Sequence, residues 1–263
     1  MNSNNDDSQP IFIIGAARSG TSIITTALKK GARIEGFHEG HFLTLLYVIL
    51  NDIDRFYKSR HQVVDDKRHM IANINRIEFE EIIISNIRKA AESLHQEKIW
   101  IDKSPDPRMI KCVPYLKRAW PNAKFIFAKR RGIENLASRM KKFPHVSFDR
   151  HCLIWKDCME SWLQVKDLVK DCSIEIEQRE IALNPQEIST KLGEFLSLEQ
   201  NKIDRITKIF STERPQNTGG KELEQSISLS ETGWTNAEIE SFKKHCSDIN
   251  RKYGYSESAS YYL

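Results

Sequence analysis

The sequence lacks any long apolar run. None reaches the roughly 20 residues a membrane-spanning helix needs, so no membrane span is expected. Its start, MNSNNDDSQP, lacks the basic residues and apolar stretch of a secretory signal, and a cytoplasmic protein is expected. Cysteine is scarce. Cys112, Cys152, Cys158, Cys172 and Cys246 are scattered, odd in number and without ligand spacing, which argues against a disulfide framework or a zinc site and for reduced packing residues. A large excess of one charge is also missing: 40 Lys and Arg against 36 Asp and Glu leave +4, too little to imply a nucleic-acid partner. There is no internal repeat, and no low-complexity segment beyond residues 1–9, which read as a disordered tail.

What remains is an ordinary globular composition, 40% hydrophobic and 29% charged over 263 residues, long enough for one large α/β domain over residues 10–263. Short apolar strands are predicted at Ile11–Ile14, 98–102, 124–129 and 173–177, with a further short one at Arg33–Glu35. Between them the spacing predicts helices from Thr21 to Gly31, over 41–58, 79–95, 107–119, 130–143, 148–171 and 184–196, and a last one near 235–252. Ile154, Trp155, Cys158, Trp162, Val165 and Val169 recur at helical spacing, which marks those tryptophans as core. Strands alternating with helices predict a central parallel sheet with helices on both faces, a three-layer, P-loop-like fold.

GAARSGTS (15–22) follows the first strand and opens the first helix. Gly15 and Gly20 have phosphate-loop spacing, the helix N-terminus offers converging N–H groups and part of a positive charge, and Ser19, Thr21 and Ser22 add hydroxyls. Where a nucleotide-triphosphatase loop carries lysine, this chain has Thr21; Arg18 supplies a planar charged fork instead. The loop therefore suits a single phosphate or sulfuryl group better than a triphosphate with metal.

Positive charge is concentrated elsewhere too. Lys98 to His145 holds 13 Lys and Arg against 3 Asp and Glu. Within it, Arg130 falls at a strand end and Ser138 two turns into the following helix, so both can reach one phosphate, with Lys142 a turn further on the same face. Arg131, Arg139 and Lys141 read as ordinary solvated charges. Two anion sites at strand ends of one sheet fit a nucleotide phosphorylated at both ends of its ribose.

On these motifs the chain resembles the sulfotransferases that use 3′-phosphoadenosine 5′-phosphosulfate (PAPS). RSGTS (18–22) looks like their 5′-phosphosulfate loop and KRRGIENLAS (129–138) like their 3′-phosphate motif. DKSPDPRMIKCVPYLKRAWPNAKFIFAKR (102–130) is similar in order and spacing to the same stretch of carbohydrate and tyrosylprotein sulfotransferases, and a weaker likeness runs through RPQN (214–217) to RKYGY (251–255). The resemblance implies that Arg18, Ser19, Gly20, Thr21 and Ser22 cradle the phosphosulfate, that Arg130 and Ser138 hold the 3′-phosphate, and that Arg214 closes over the cofactor. It further implies a catalytic trio: Glu39 as general base, Lys103 on the transferring sulfuryl group, and Arg18. His41 is the alternative base. Gln178-Arg179 departs from the Tyr-Glu pair such enzymes often carry there, which puts any contact assigned to that position in doubt.

The HEGH run (38–41) places its histidines three apart around Gly40, not at the i, i+4 spacing of a helical zinc motif, so no metal is expected. The leading reading is transfer of a sulfuryl group from PAPS to a small-molecule, carbohydrate or peptide acceptor, with residues 41–75 and 211–232 shaping the acceptor cleft. Two others stand beside it: a small-molecule kinase with a degenerate loop, against which Thr21 argues, and a catalytically silent nucleotide-binding protein, against which Glu39 and Lys103 argue.

Overall fold

Strand β1 (Gln9–Gly15) occupies the middle of the sheet because every residue after Gln9 is buried, with Ile11 and Ile13 on one face and Phe12 and Ile14 on the other. The computed structural model describes residues 8–213 and 226–263. The first strand begins earlier than expected. Gln9 donates its N–H to the carbonyl of Lys98 (2.8 Å), and the Trp100 indole donates to the buried Ser8 hydroxyl (3.2 Å), so Ser8 and Gln9, assigned above to the tail, belong to the fold.

The other strands are β2 (Glu35–Gly36), β3 (Ile99–Lys103), β4 (Lys124–Lys129) and β5 (Ser173–Glu177). All pair in parallel in the order β2-β3-β1-β4-β5. Pairing of Ile13 with Lys103 and of Gly15 with Ala128 aligns three strand ends, which brings the glycine loop, the residues after Lys103 and the residues after Lys129 to one edge.

Helices cover both faces, as the alternation of strands and helices predicts. Against Phe12 and Ile14 pack α2 (Leu45–Ser59), α3 (Arg76–Glu92), α4 (Pro107–Lys111), α5 (Val113–Ala119), α6 (Gly132–Lys142), α7 (Phe148–Val165) and α11 (Asn236–Lys252). Against Ile11 and Ile13 pack α1 (Thr21–Thr26), α8 (Gln178–Leu183), α9 (Pro185–Leu196) and α10 (Gln200–Thr212). Trp155 and Trp162 are core residues, as their spacing implies.

Three helices differ from expectation for local reasons. The helix expected from Thr21 to Gly31 changes its turn: α1 passes at Ala27 into a wider π turn. The 107–119 helix breaks at Cys112, where Pro114 in the first turn of α5 cannot donate to the preceding turn. The 148–171 helix ends at Val165 and tightens into 3₁₀ turns interrupted at Val169 (φ −126°). Helices α8 and α10 are not among the expected elements, although Ile203, Ile206 and Phe210 carry helical spacing and are buried.

Two arginines read as solvated are interior. Arg131 is fully buried: it pairs with Glu134 and donates to the carbonyls of Ile227 (2.8 Å), Ser256 (3.2 Å), Ser258 (3.0 Å) and Ser260 (2.9 Å), so it pins the last residues of the chain beside β4. Arg139 is 5% exposed and donates to Nδ1 of His151 (3.3 Å). Lys141 is exposed, as expected.

The same terminal segment holds Glu177, which is buried and accepts hydrogen bonds from the hydroxyls of Tyr255 and Tyr261. Burial pushes its carboxyl up from 4.5 to about 7, against the opposing pull of the two hydroxyls. The folded protein thus binds this proton more tightly than the unfolded chain, and the stability it confers falls as pH rises from 4.5 to about 7. The whole effect is at most roughly 3 kcal/mol. Glu177→Gln should flatten the decline in unfolding temperature between pH 5 and pH 8; an unchanged pH profile would show that Glu177 does not titrate in this range.

Candidate functional site

The turn after β1 is held by its neighbours rather than by its own hydrogen bonds alone. Arg18 adopts φ +76°, in the left-handed region, and Gly20 caps α1 at φ +92°. Asn135 on α6 fastens the turn: its amide donates to the carbonyl of Ala17 (3.0 Å) and to Oγ of Ser19 (2.9 Å). Arg130, just past β4, donates from Nη1 to the carbonyl of Arg18 (3.1 Å), and the Arg18 side chain crosses back to donate from Nε to Ser138 Oγ (2.8 Å). The turn and the arginine–serine couple therefore interlock.

A cleft opens at this edge. Arg18, Gly20, Thr21, Ser22, Arg130 and Lys142 line it, together with Glu39 and Lys103. Ile181, Ala182 and Phe210 add an apolar wall from α8 and α10, the two helices the sequence reading lacked, and Phe143 adds to it from beyond α6. Gln178 lines the cleft as well and packs over Gly20, where a Cβ would stand 3.1 Å from its Cγ.

Not every expected residue is at the wall. Ser19 is fully buried, and its hydroxyl is engaged by Asn135. Ser138 is 7% exposed behind the Arg18 guanidinium. His41 stands outside the cleft wall but bonds to Glu39. Arg214 lies outside the described residues. Asn135 was missed although it sits one helical turn before Ser138, on the face already singled out.

The electrostatics are those of an anion site. Burial and the neighbouring Arg130 charge hold Arg18 below the usual arginine value. Burial lowers Arg130 as well, opposed by Tyr261, Glu134 and Glu177. Among the described residues, neither guanidinium has a carboxylate within 4 Å. Around Glu39 the balance is reversed. Lys103 Nζ lies 2.6 Å from Oε1 and His41 Nε2 2.8 Å from Oε2, while Lys103 also reaches Ser22 Oγ (3.4 Å). Burial pushes the Glu39 carboxyl up, but Lys103 and His41 outweigh it, so it sits below the usual carboxylate value. Among the described residues no group of three or more His, Cys, Asp or Glu is placed to hold a metal ion, and no helix is long and apolar enough to cross a membrane.

The parallel sheet with its glycine loop at the end of β1 defines a P-loop-like α/β fold with its cleft at the strand ends. A profile described as the sulfotransferase family matches residues 10–202, and the chain belongs to that family. Against chicken (Gallus gallus) protein-tyrosine sulfotransferase 2 it is 22% identical over 197 residues, 72% of this chain and 51% of that protein. The chain thus spans about half the length of that relative. Among solved structures, the sulfotransferase domain of the Synechococcus PCC 7002 olefin synthase superposes with a TM-score of 0.57 at 16% identity, covering 97% of this chain and 98% of that one. The sulfotransferase domain of the curacin biosynthetic pathway gives 0.52 at 16% identity, over 93% and 95% of the two chains. A Mycobacterium avium sulfotransferase gives 0.52 at 12%, over 92% and 76%. At these identities the likeness is one of fold.

Proposed function

We propose that the chain moves a sulfuryl group from PAPS to a hydroxyl or amine of a small-molecule, carbohydrate or peptide acceptor. Family membership supports sulfuryl transfer; the choice of PAPS rests on one observation, the adjacent Arg18 and Arg130 guanidiniums, which among the described residues have no carboxylate within 4 Å and face the same cleft as the start of α1. Such a donor set suits an anion, and two cradles at one cleft suit a nucleotide with phosphates at both ends of its ribose.

PAPS supplies the sulfuryl group and leaves as 3′,5′-adenosine bisphosphate. Arg18, the backbone at Gly20 and the hydroxyls of Thr21 and Ser22 hold its 5′ end; Arg130, with Ser138 behind Arg18, holds the 3′-phosphate. Lys103, 4% exposed between Ser22 and Glu39, places its ammonium where negative charge grows on the leaving oxygen. Glu39, ionised at neutral pH, takes the acceptor's proton at a carboxylate oxygen. The tyrosyl hydroxyl in the name of the chicken relative is one member of the acceptor class. The cleft draws residues from Ala17 to Glu213, so residues 10–263 are read as one catalytic unit. Five unbonded cysteines favour a reducing, cytoplasmic setting.

The test is a thermal-shift series with 3′,5′-adenosine bisphosphate, with ATP plus magnesium, and with no ligand. Stabilisation by the bisphosphate without metal is expected, about 2.7 kcal/mol at a hundredfold excess over Kd. A shift with ATP and magnesium alone would replace this reading by a kinase, and no shift with either would leave a protein that binds neither nucleotide.

A further inference from the structure

At the end of β3, three consecutive residues, Asp102 to Ser104, grip three consecutive residues of the loop that carries Glu39. Lys103 bonds the Glu39 carboxylate through Nζ, and its carbonyl accepts the Gly40 N–H (3.0 Å). Ser104, fully buried, accepts the His41 N–H at Oγ (3.0 Å) and donates its own proton to Asp102 Oδ1 (2.8 Å). The Asp102 carboxylate packs directly on Gly40: a Cβ at that position would lie 1.9 Å from Oδ2. His41 is held at φ +55°, an uncommon conformation for a residue other than glycine.

Asp102 is the costly member of this set. Its side chain is 6% exposed, and among the described residues its side-chain hydrogen bonding goes to Ser104. An ionisable group so poorly compensated weakens a fold, and burial accordingly pushes its carboxyl above the usual value. A structural need at this point of β3 would be met by an apolar residue such as its neighbour Ile101. What the carboxylate does is orient the Ser104 hydroxyl, so that the oxygen lone pairs face the His41 N–H.

We infer that Asp102 and Ser104 are positioning residues of sulfuryl transfer, which hold the 39–41 loop in its strained conformation and so fix Glu39 against Lys103. The inference rests on reading Glu39 as the base. Neither residue lines the cleft, so donor binding does not depend on them. A base displaced by about 1 Å loses on the order of 10²-fold in rate.

The experiment compares Ser104→Ala, Asp102→Ala, Asp102→Asn and Glu39→Ala. Three quantities are read: amide hydrogen exchange over residues 39–42, the thermal shift given by 3′,5′-adenosine bisphosphate, and turnover with labelled PAPS and an acceptor chosen from a screen of phenols, sugars and tyrosyl peptides. In Ser104→Ala and Asp102→Ala, exchange over 39–42 should rise at least tenfold, turnover should fall about 10²-fold, and both the bisphosphate shift and the KM for PAPS should hold. Asp102→Asn, which keeps an oxygen for the Ser104 hydroxyl, should restore most of the turnover. Unchanged exchange in Ser104→Ala overturns the inference, as does an exchange increase spread over the whole chain with loss of the shift. Full turnover in Ser104→Ala beside an inactive Glu39→Ala overturns it while leaving Glu39 as the base. Full turnover in Glu39→Ala overturns the base assignment instead, and loop ordering by Ser104 is then judged on exchange alone.

Discussion

Glu39→Ala is expected to lower the turnover of sulfuryl transfer by about 10²–10⁴ while leaving the bisphosphate-induced thermal shift intact. The two effects separate because the direct contacts of Glu39 are Lys103 and His41, and none of them is with Arg18, Arg130 or the glycine loop. The carboxylate is itself nearly half exposed, but its partner Lys103 is buried, so the substitution also leaves an ammonium without its carboxylate. It does free Lys103, which keeps Ser22 Oγ within reach and stays at the donor end of the cleft. His41→Ala should reduce turnover less than Glu39→Ala, since His41 acts on the cleft through Glu39. The reverse ranking would make His41 the base, with Glu39 as the carboxylate that orients its ring. Wild-type turnover in Glu39→Ala would remove it from the mechanism.

The fold was legible where the chain obeys simple periodicity. Ile11–Ile14, the run after Lys98, KFIFAK and SIEIE are strands of a parallel sheet, and each lies within two residues of its expected limits. The anion loop was legible because a strand, two glycines and a helix start follow one another in sequence. What stayed hidden depends on distant partners. Arg131 reads as a surface charge until the carbonyls of residues 256–260 fold over it. Ser19 reads as a ligand hydroxyl until Asn135, 116 residues away, claims it from the neighbouring helix. Helix α8 is too short to show a period, and α10 has charged residues between its isoleucines, so the apolar wall of the cleft went unassigned. Asp102 looks like an unremarkable strand-end aspartate. Only the approach of Gly40 in space shows that it faces a loop more than sixty residues earlier.

Arg130→Ala is expected to abolish the bisphosphate shift without lowering the unfolding temperature of the free protein. Burial holds both arginines below their usual value, and the Arg130 charge repels that of Arg18 and lowers it further. Removing one relieves that repulsion and offsets the lost hydrogen bond to the Arg18 carbonyl. The strand end itself stays fixed, because the Trp155 indole donates to the Arg130 backbone carbonyl (3.1 Å), which alanine retains. With the nucleotide present the comparison inverts. Truncating a buried charged partner costs about 2–5 kcal/mol of binding. A hundredfold weaker Kd at fixed ligand reduces a stabilisation of about 2.7 kcal/mol to about 0.4 kcal/mol, below what a melting curve resolves. Arg130→Lys keeps the charge but not the planar fork, so it should recover part of the shift. If Arg130→Ala melts and responds to the bisphosphate as the parent protein does, this arginine holds no phosphate, and the two-cradle account of the cleft fails while family membership stands.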